Sequence, residues 1–321
     1  MGLGNGGRST GLQTTIGEPV ALSGIGVHSG APVSMMLQPA DVDTGIVFQV
    51  TDPRSGKEAE ITADWRSVTA TELATVLAAP NGVTLATVEH LMAALRGLSI
   101  DNVIVEIEGV EVPVMDGSAA AFVEAIDAVG RVTQGRPRRY LQVLKPVRAD
   151  KGDAFGELRP YNGWHFDVTI DFPTPLIGRQ SFKGELTPTV FRRDLARART
   201  FGMVSDVEKL WKLGYALGSS LENSVAIAED RILNPEGTRW ADECVRHKAL
   251  DALGDLALAG LPILGAYRSF KGGHRLNYTV LQALFADPSA WRIVEGPVRR
   301  TAGHAEVGAG LAVAAMGPDV N

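Results

Sequence analysis

Cysteine is almost absent from this chain: Cys244 is the only one among 321 residues. A single thiol excludes an intrachain disulfide and any metal centre built from several cysteine ligands. The first ten residues are rich in glycine and lack the charged and apolar regions of a signal peptide. These absences fit a reducing compartment, and we expect a cytoplasmic protein.

Long apolar runs and an excess of positive charge are also missing. No uninterrupted apolar run reaches the length of about 18 residues that suggests a membrane-spanning helix. Lysine and arginine total 31 against 37 acidic residues, which gives a net charge of -6. A broad basic surface for nucleic acid would look different. We therefore expect neither a nucleic-acid partner nor stable insertion into a membrane.

The remaining composition, 45% hydrophobic and 21% charged, is that of an ordinary globular protein. Each half of the chain places predicted strands before predicted helices, which indicates an α+β fold with two layered domains. A polar, arginine-rich stretch at 131–139 looks like the linker between them. We expect a flexible leader at 1–10, an N-terminal domain at 11–135, a C-terminal domain at 136–299 and a flexible tail at 300–321.

Local patterns predict individual elements within these halves. Apolar residues at helical spacing, with flanking glycines, predict helices at 86–97, ending at a Gly97 cap, at 119–129 and at 242–259, and a short amphipathic helix after 203. Alternating apolar residues predict strands at 103–108, 164–170, 263–270 and 275–284.

The segment 242–255 carries the most informative polar pattern. His247 and Asp251 are four residues apart, so both project from one helix face, and Asp255 continues the stripe one turn later. A neutral imidazole and a carboxylate held together form half of a zinc site. An ordinary surface ion pair is the alternative interpretation.

Three further histidines have suggestive settings. Glu89 and His90 are adjacent at the start of a predicted helix, so they point about 100° apart and cannot easily bind one metal together. One can be a ligand while the glutamate acts as a general base, as in zinc hydrolases. A capping glutamate beside a hydrogen-bonded histidine remains the alternative. His274 and His28 lie in glycine-bounded turns, which either direct a side chain into a cleft or leave it in water.

Two further positions complete the set of candidate site residues. Thr200 offers a hydroxyl near a glycine, and Lys248, next to His247, could meet an anion. Taken together, these residues supply two histidines and an aspartate as ligands, a glutamate base, a histidine acid and an aspartate to orient it. Such a set suits a catalytic zinc ion with one open coordination position.

Several longer motifs identify a family. The segments GIGVHSG (24–30), TVEHLMAAL (87–95), DNVIVEIEGVEVPVMDGSAAAF (101–122), ARARTFG (196–202), DECVRHKALDALGDL (242–256) and GGHRLNYTVLQAL (272–284) occur in that order. In these motifs the chain closely resembles the UDP-3-O-acyl-N-acetylglucosamine deacetylases, the zinc amidases of lipid A biosynthesis. The resemblance implies two domains of similar topology, each a β-sheet layered with α-helices, packed helix face to helix face around the active site.

The resemblance also assigns roles to residues and partners. It implies one Zn²⁺ per chain, with Fe²⁺ as an alternative, and a small-molecule nucleotide-sugar substrate. We expect a monomer, although the sequence itself does not show the oligomeric state. Matched position by position, the zinc ligands are His90, His247 and Asp251; the catalytic residues are Glu89, His274, Asp255 and Thr200; and the residues contacting the nucleotide-sugar are Lys248, Phe201 and His28.

The family's βαβ insert, which forms a passage for the fatty acyl chain, falls on about 203–230. Met203, Val207, Ala216 and Leu221 would line it. Residues 218–220 read Gly-Ser-Ser where relatives often have Gly-Gly-Ser, and position 216 carries a small residue, which leaves the acyl length open. A non-catalytic nucleotide-sugar-binding homologue is the alternative function, but none of the residues whose loss would mark it is missing. A zinc peptidase is disfavoured because H-E-x-x-H is absent.

Overall fold

The computed structural model describes residues 11–296, and strands and helices follow one another there in two blocks. In the first block the strands are β1 Leu12–Ile16, β2 Val20–Ile25, β3 Pro32–Pro39, β4 Ile46–Asp52, β5 Lys57–Thr62, β6 Val68–Ala70, β7 Val76–Ala78, β8 Thr84–Leu85, β9 Val103–Glu108 and β10 Arg131–Pro137. The helices of this block are α1 Glu89–Gly97 and α2 Ala120–Val129.

The second block also begins with a run of strands, after which helices and strands alternate. Its strands are β11 Arg139–Val143, β12 Val147–Lys151, β13 Ala154–Arg159, β14 Trp164–Asp171, β15 Arg179–Glu185, β16 Phe201–Met203, β17 Val225–Ile227, β18 Ile263–Phe270 and β19 Trp291–Glu295. Its helices are α3 Pro188–Val190, α4 Val204–Lys212, α5 Glu243–Ala257 and α6 His274–Ala286, with a π-helical turn at Phe191–Leu195.

Each block builds one main sheet. In the first, five strands lie in the order β2-β3-β9-β4-β5, accompanied by a three-stranded sheet, β6-β7-β8. In the second, seven strands form a sheet through β12-β13-β18-β11-β19, with β14 paired to β18 and β15 paired to β14. Strand β10 pairs with β1 and crosses the expected domain boundary at 135/136, so the limits 11–135 and 136–299 stay a prediction.

The helices meet between these sheets. Helix α1 packs chiefly against α5, while α5 and α6 cover strands of the second sheet and α2 packs on α1 and β2. One continuous buried cluster joins both halves and includes Phe48, Phe122, Phe166 and Tyr267, each with no exposed surface. The α+β fold with helix-to-helix packing is therefore confirmed. No helix among residues 11–296 combines the length and apolar character that crossing a membrane requires.

The outer faces of the two main sheets carry different charges. Across five strands of the second sheet, the paired positions Arg148, Glu157, Arg268, Asp167 and Lys183 alternate in sign. The Asp167 carboxylate lies 3.9 Å from the Arg268 guanidinium and 3.7 Å from the Lys183 ammonium. We name this set the charge row. Opposite charges on neighbouring strands favour this pairing register.

The outer face of the first sheet is acidic instead. Its exposed side chains on β5 and β9 include Glu58, Glu60, Glu106 and Glu108. Strands β3 and β4, which pair with β9 on its two sides, carry mainly polar, uncharged side chains such as Ser34 on this face.

Two local predictions were wrong. Residues 275–284 belong to helix α6, in which Leu276, Val280, Leu281 and Leu284 are buried at helical spacing. The stretch 131–139, expected to be a linker, contains strand β10. Its polar side chains gave no apolar alternation because the strand is held by backbone pairing with β1 and most of its residues are exposed.

Helix α1 also differs from its prediction at its end. Gly97 is the last helical residue rather than the residue beyond it. A Cβ at this position would lie 2.4 Å from ring atoms of Phe191, so the glycine permits close packing of the π-helical turn. The predicted leader at 1–10 and the predicted tail at 300–321 lie outside the described residues.

The residues predicted to form the insert make a βαβ unit. Strands β16 and β17 pair in parallel, and α4 lies between them in sequence. The predicted amphipathic helix is confirmed as α4, whose apolar residues Val204, Val207, Leu210 and Trp211 border a cavity.

Substitution of Gly254 tests the contact between α1 and α5. A Cβ at Gly254 would lie 1.9 Å from the carbonyl oxygen of Glu89, so Gly254→Ala must push the two helices apart. We expect the free energy of unfolding to fall by about 3 kcal/mol, measured by urea denaturation. A local helix effect alone would raise stability by about 1 kcal/mol, since alanine is the better helix former.

The control is Gly184→Ala in β15, where an added Cβ meets nothing within 4 Å. This variant should denature at nearly the same urea concentration as the wild type. Equal stability of Gly254→Ala and wild type would contradict the tight crossing.

Candidate active site

A cavity of about 400 Å³ opens beside the crossing of α1 and α5. Its polar end is formed by side chains from both helices and from α6, and its apolar side by the βαβ insert. Most of the residues that the sequence singled out line it, namely His28, Glu89, His90, Thr200, Phe201, Val207, Ala216, Leu221, His247, Lys248, Asp251 and His274.

Two predicted site residues stand apart from the cavity wall. Asp255 is buried behind it, in contact with His274. Met203, expected in the acyl passage, packs against the apolar core instead of the cavity. Leu73 and Leu210 line the apolar side although neither was among the predicted passage residues.

Three side chains converge as a metal-binding group. The Nε2 atoms of His90 and His247 lie 3.5 Å and 3.2 Å from Oδ1 of Asp251. All three residues are at most 5% exposed, and their ligand atoms lie within 4.8 Å of one another. A tetrahedral zinc ion with bonds of about 2.1 Å separates its ligand atoms by roughly 3.4 Å. The group therefore has the spacing of a metal site.

The polar atoms of this group fit a cation. Oδ1 of Asp251 is buried and has no hydrogen-bond partner among residues 11–296. Nδ1 of His247 lies 3.0 Å from the Ala198 carbonyl, which as acceptor fixes the proton there and leaves Nε2 free to coordinate. Nδ1 of His90 is buried without such a partner in the described chain.

The charges agree with that assignment. Burial lowers the pKa of His247 to about 3, so its imidazole is neutral. Burial opposes ionisation of Asp251, but its charged and hydrogen-bonding neighbours, Lys248 among them, outweigh burial and hold the pKa of this carboxyl well below its usual range. Two imidazoles and a carboxylate are ligands for zinc and also for ferrous iron.

Glu89 and His274 face each other at the edge of this group. Nε2 of His274 lies 3.7 Å from Oε1 of Glu89. Glu89 and His90 are adjacent at the start of α1, so their side chains point in different directions. The Glu89 side chain faces His274, and the His90 side chain faces Asp251. Burial raises the pKa of Glu89, although the positive charge of His274 opposes that rise.

His274 is a cation held between carboxylates. It begins α6 after Gly273 rather than standing in a loop between strands. Its Nδ1 donates to Oδ2 of Asp255 at 2.9 Å. Burial disfavours the imidazolium, but Asp255 and Glu89 outweigh burial and raise the pKa of His274 to about 10. A protonated imidazole at neutral pH can donate a proton.

The loop bearing Thr200 is anchored by a buried ion pair that the sequence did not reveal. Arg199 and Glu243 are 2% and 1% exposed, and the Arg199 Nε donates to Glu243 at 3.0 Å. Thr200 itself is held through backbone bonds to Gly117 at 2.7 Å and Val225 at 2.8 Å. No periodic pattern signals this pairing, because its partners are 44 residues apart.

Phe201 and Lys248 lie together beside the metal-binding group. The Lys248 ammonium is 5.9 Å from the Phe201 ring centroid and donates to Oδ2 of Asp251 at 3.0 Å. Its side chain is 24% exposed, so it faces both the carboxylate and solvent. Burial lowers the pKa of this ammonium less than Asp251 raises it, so Lys248 stays charged.

The turn carrying His28 is held by a buried glutamate. Glu111 accepts hydrogen bonds from the backbone N–H groups of His28 and Ser29, both at 3.0 Å, and from the Thr87 hydroxyl at 2.9 Å. The insert also closes on this turn, since the N–H of Leu217 donates to the His28 carbonyl at 3.1 Å. The turn and insert together form one wall of the cavity.

Titration of His274 tests the carboxylate pair around it. In the metal-free wild type we expect its imidazole to titrate near pH 10, as followed by NMR. Asp255→Asn removes the main charge that favours the imidazolium, so the pKa should fall towards about 6.5. Since the folded pKa is raised, the stabilisation is complete below about pH 6.5 and is lost as the pH rises through 10. An unchanged titration in Asp255→Asn would contradict this assignment.

Comparison with known proteins identifies the family. The model of the family described as UDP-3-O-acyl N-acetylglycosamine deacetylase matches residues 13–286. The chain is 53% identical over 284 residues to the UDP-3-O-acyl-N-acetylglucosamine deacetylase of Brucella ovis, covering 88% of this chain and 98% of that protein. The Brucella canis protein of the same name gives the same values, and that of Brucella melitensis biotype 2 is 52% identical over the same length. The chain therefore belongs to the UDP-3-O-acyl N-acetylglycosamine deacetylase family.

Proposed function

We propose that this protein removes the N-acetyl group from UDP-3-O-[(3R)-3-hydroxyacyl]-N-acetylglucosamine, releasing acetate and UDP-3-O-acyl-glucosamine for lipid A biosynthesis. One observation supports this reaction above all: a metal-binding triad, a glutamate and a protonated histidine meet at the polar end of a cavity with an apolar side. An amide hydrolase that handles a fatty acyl chain needs both parts. The names of the relatives point to the same reaction.

The metal in this proposal is one Zn²⁺ per chain, held by His90, His247 and Asp251, with Fe²⁺ as the alternative ion. Bound there, the ion supplies Lewis acidity to the substrate carbonyl and to the attacking water. The donor set of two imidazoles and one carboxylate leaves coordination positions open, as catalytic sites require.

In the chemical step, Glu89 accepts a proton from the water that attacks the acetamide carbonyl. The Thr200 hydroxyl donates a hydrogen bond to the carbonyl oxygen as negative charge develops on it. His274, charged and braced by Asp255, stabilises that charge and gives its proton to the departing nitrogen. The C–N bond breaks, acetate takes the water oxygen, and the sugar keeps a free amine.

The rest of the cavity binds the remaining parts of the substrate. Lys248 offers a positive charge, Phe201 a ring face and His28 an imidazole to the nucleotide-sugar. Val207, Ala216 and Leu221 border the apolar side, where the acyl chain lies in this proposal. Met203 supports that side from the core rather than touching the chain.

The cellular compartment and oligomeric state remain proposals from the sequence. The buried, unpaired Cys244 fits a reducing cytoplasm, and burial raises the pKa of its thiol to about 12. A monomer suffices, because every residue of the proposed site comes from one chain.

Removal of the metal tests the proposed reaction. We expect acetate release from the UDP-3-O-acyl sugar to stop after treatment with a chelator, because the ion activates both water and carbonyl. Adding back Zn²⁺ should restore the rate, while adding Fe²⁺ to a second sample under anaerobic conditions compares the two ions. Acetate release that survives full metal removal would contradict a metal-dependent deacetylase.

Substitution of Glu89 tests the general base. Glu89→Gln keeps the side chain's size but cannot accept the proton, so kcat should fall by about 100- to 10,000-fold. Metal content, measured by mass spectrometry, should stay at one ion per chain. Glu124→Gln, on the exposed side of α2, is the matched control and should retain wild-type kcat. Wild-type turnover in Glu89→Gln would rule out this role.

A further inference from the structure

We propose, on the basis of the function proposed above, that Thr75 is a positioning residue that aligns the catalytic base Glu89 with the Asp255–His274 pair. Thr75 immediately precedes β7 and is 1% exposed. It is bonded to residues on both α1 and α5, and so links the two helices that supply the site.

The Thr75 side chain acts on the acidic partner of His274. Its Oγ1 donates to Oδ1 of Asp255 at 2.6 Å. The other oxygen, Oδ2, accepts from His274 Nδ1 at 2.9 Å and from Asn277 Nδ2 at 2.7 Å. Both carboxylate oxygens are therefore occupied, and the plane of the carboxylate is fixed towards His274.

The Thr75 backbone acts on the base. Its N–H donates to Oε2 of Glu89 at 3.1 Å. With Oε2 held, Oε1 is the oxygen that faces His274, 3.7 Å from its Nε2. The Val88 N–H in turn donates to the Thr75 carbonyl at 3.5 Å, which ties the same backbone to the start of α1.

A second set of buried hydrogen bonds, from Tyr267 to Asn277 and from Asn277 to Asp255, supports this arrangement. Asn277 receives a hydrogen bond from the Tyr267 hydroxyl at 2.5 Å, which sets the orientation of its amide. Tyr267 has no exposed surface and Asn277 is 2% exposed. Removal of the Thr75 hydroxyl would leave Oδ1 of Asp255 without its donor, and buried polar groups without partners are costly.

Thr75 works through its neighbours rather than on the substrate. It is absent from the residues that line the cavity, whereas Glu89 and His274 both line it. Its substitution should therefore change the chemical step more than substrate binding.

The test compares Thr75→Val, which replaces the hydroxyl by a methyl group, with Thr75→Ser, which keeps it. The backbone donor to Glu89 remains in both. We expect kcat of Thr75→Val to fall about 10- to 100-fold, since hydrogen bonds to charged groups have that strength. KM should stay within about twofold and metal content unchanged. Thr75→Ser should recover most of the lost kcat.

Thr71→Val is the matched control. Thr71 is also buried, at 8% exposure, and lies four positions earlier in the chain, but it has no contact with Asp255 in the described structure. Its kcat should equal that of the wild type. If Thr75→Val does not fold, Thr75→Ala removes the same hydroxyl and carries the same expectation.

A double-substitution cycle with Asp255→Asn tests whether Thr75 changes kcat through Asp255. If Thr75 acts through Asp255, adding Thr75→Val to Asp255→Asn should lower kcat by less than threefold further. A full additional loss in that background, or wild-type kcat in Thr75→Val alone, would overturn the proposal. Wild-type protein that releases no acetate would instead overturn the proposed function, so the two failures are distinct.

Discussion

The whole site depends on the close crossing of α1 and α5 at Gly254. Glu89 and His90 come from one helix, and His247 and Asp251 come from the other. Side chains this short reach a common point only if the helix backbones nearly touch. The missing Cβ of Gly254 allows that approach, because the Glu89 carbonyl occupies the space that a Cβ would need. Packing and chemistry are thus set by the same contact.

Around this crossing, charge is arranged so that each group keeps the protonation state its role needs. His247 is neutral because burial dominates, whereas His274 is charged because two carboxylates outweigh burial. The two imidazoles differ chiefly in the carboxylates beside them, since His274 lies between Asp255 and Glu89. One therefore suits metal binding and the other suits proton donation.

The parts of the site that follow from local spacing could be predicted from the sequence. His247, Asp251 and Asp255 recur every four residues on one helix, and that stripe alone placed them on a common face. The pairing of Glu89 with His274 needed the family resemblance, because those residues are far apart in the chain. Thr75 and the Arg199–Glu243 pair gave no signal, since their contacts arise only from tertiary packing.

The errors in secondary structure have a similar origin. The run from Tyr278 to Val280 favours a strand by residue type, yet the buried positions Leu276, Val280 and Leu284 are spaced for a helix. The polar strand β10 was missed because its pairing with β1 uses backbone groups that any residue provides. For residues 275–284, the helical spacing of the apolar residues was the better guide. For β10, the side chains show no alternation that would indicate a strand.

The charge row has a consequence for how the protein's net charge of -6 is distributed. Along the row, each acidic side chain has basic neighbours on both sides, so that face of the second sheet is close to electrically balanced. The glutamates on the outer face of the first sheet have no such partners across the strands. Dissolved salt therefore acts on the two sheets in opposite senses: it screens attraction on one face and repulsion on the other.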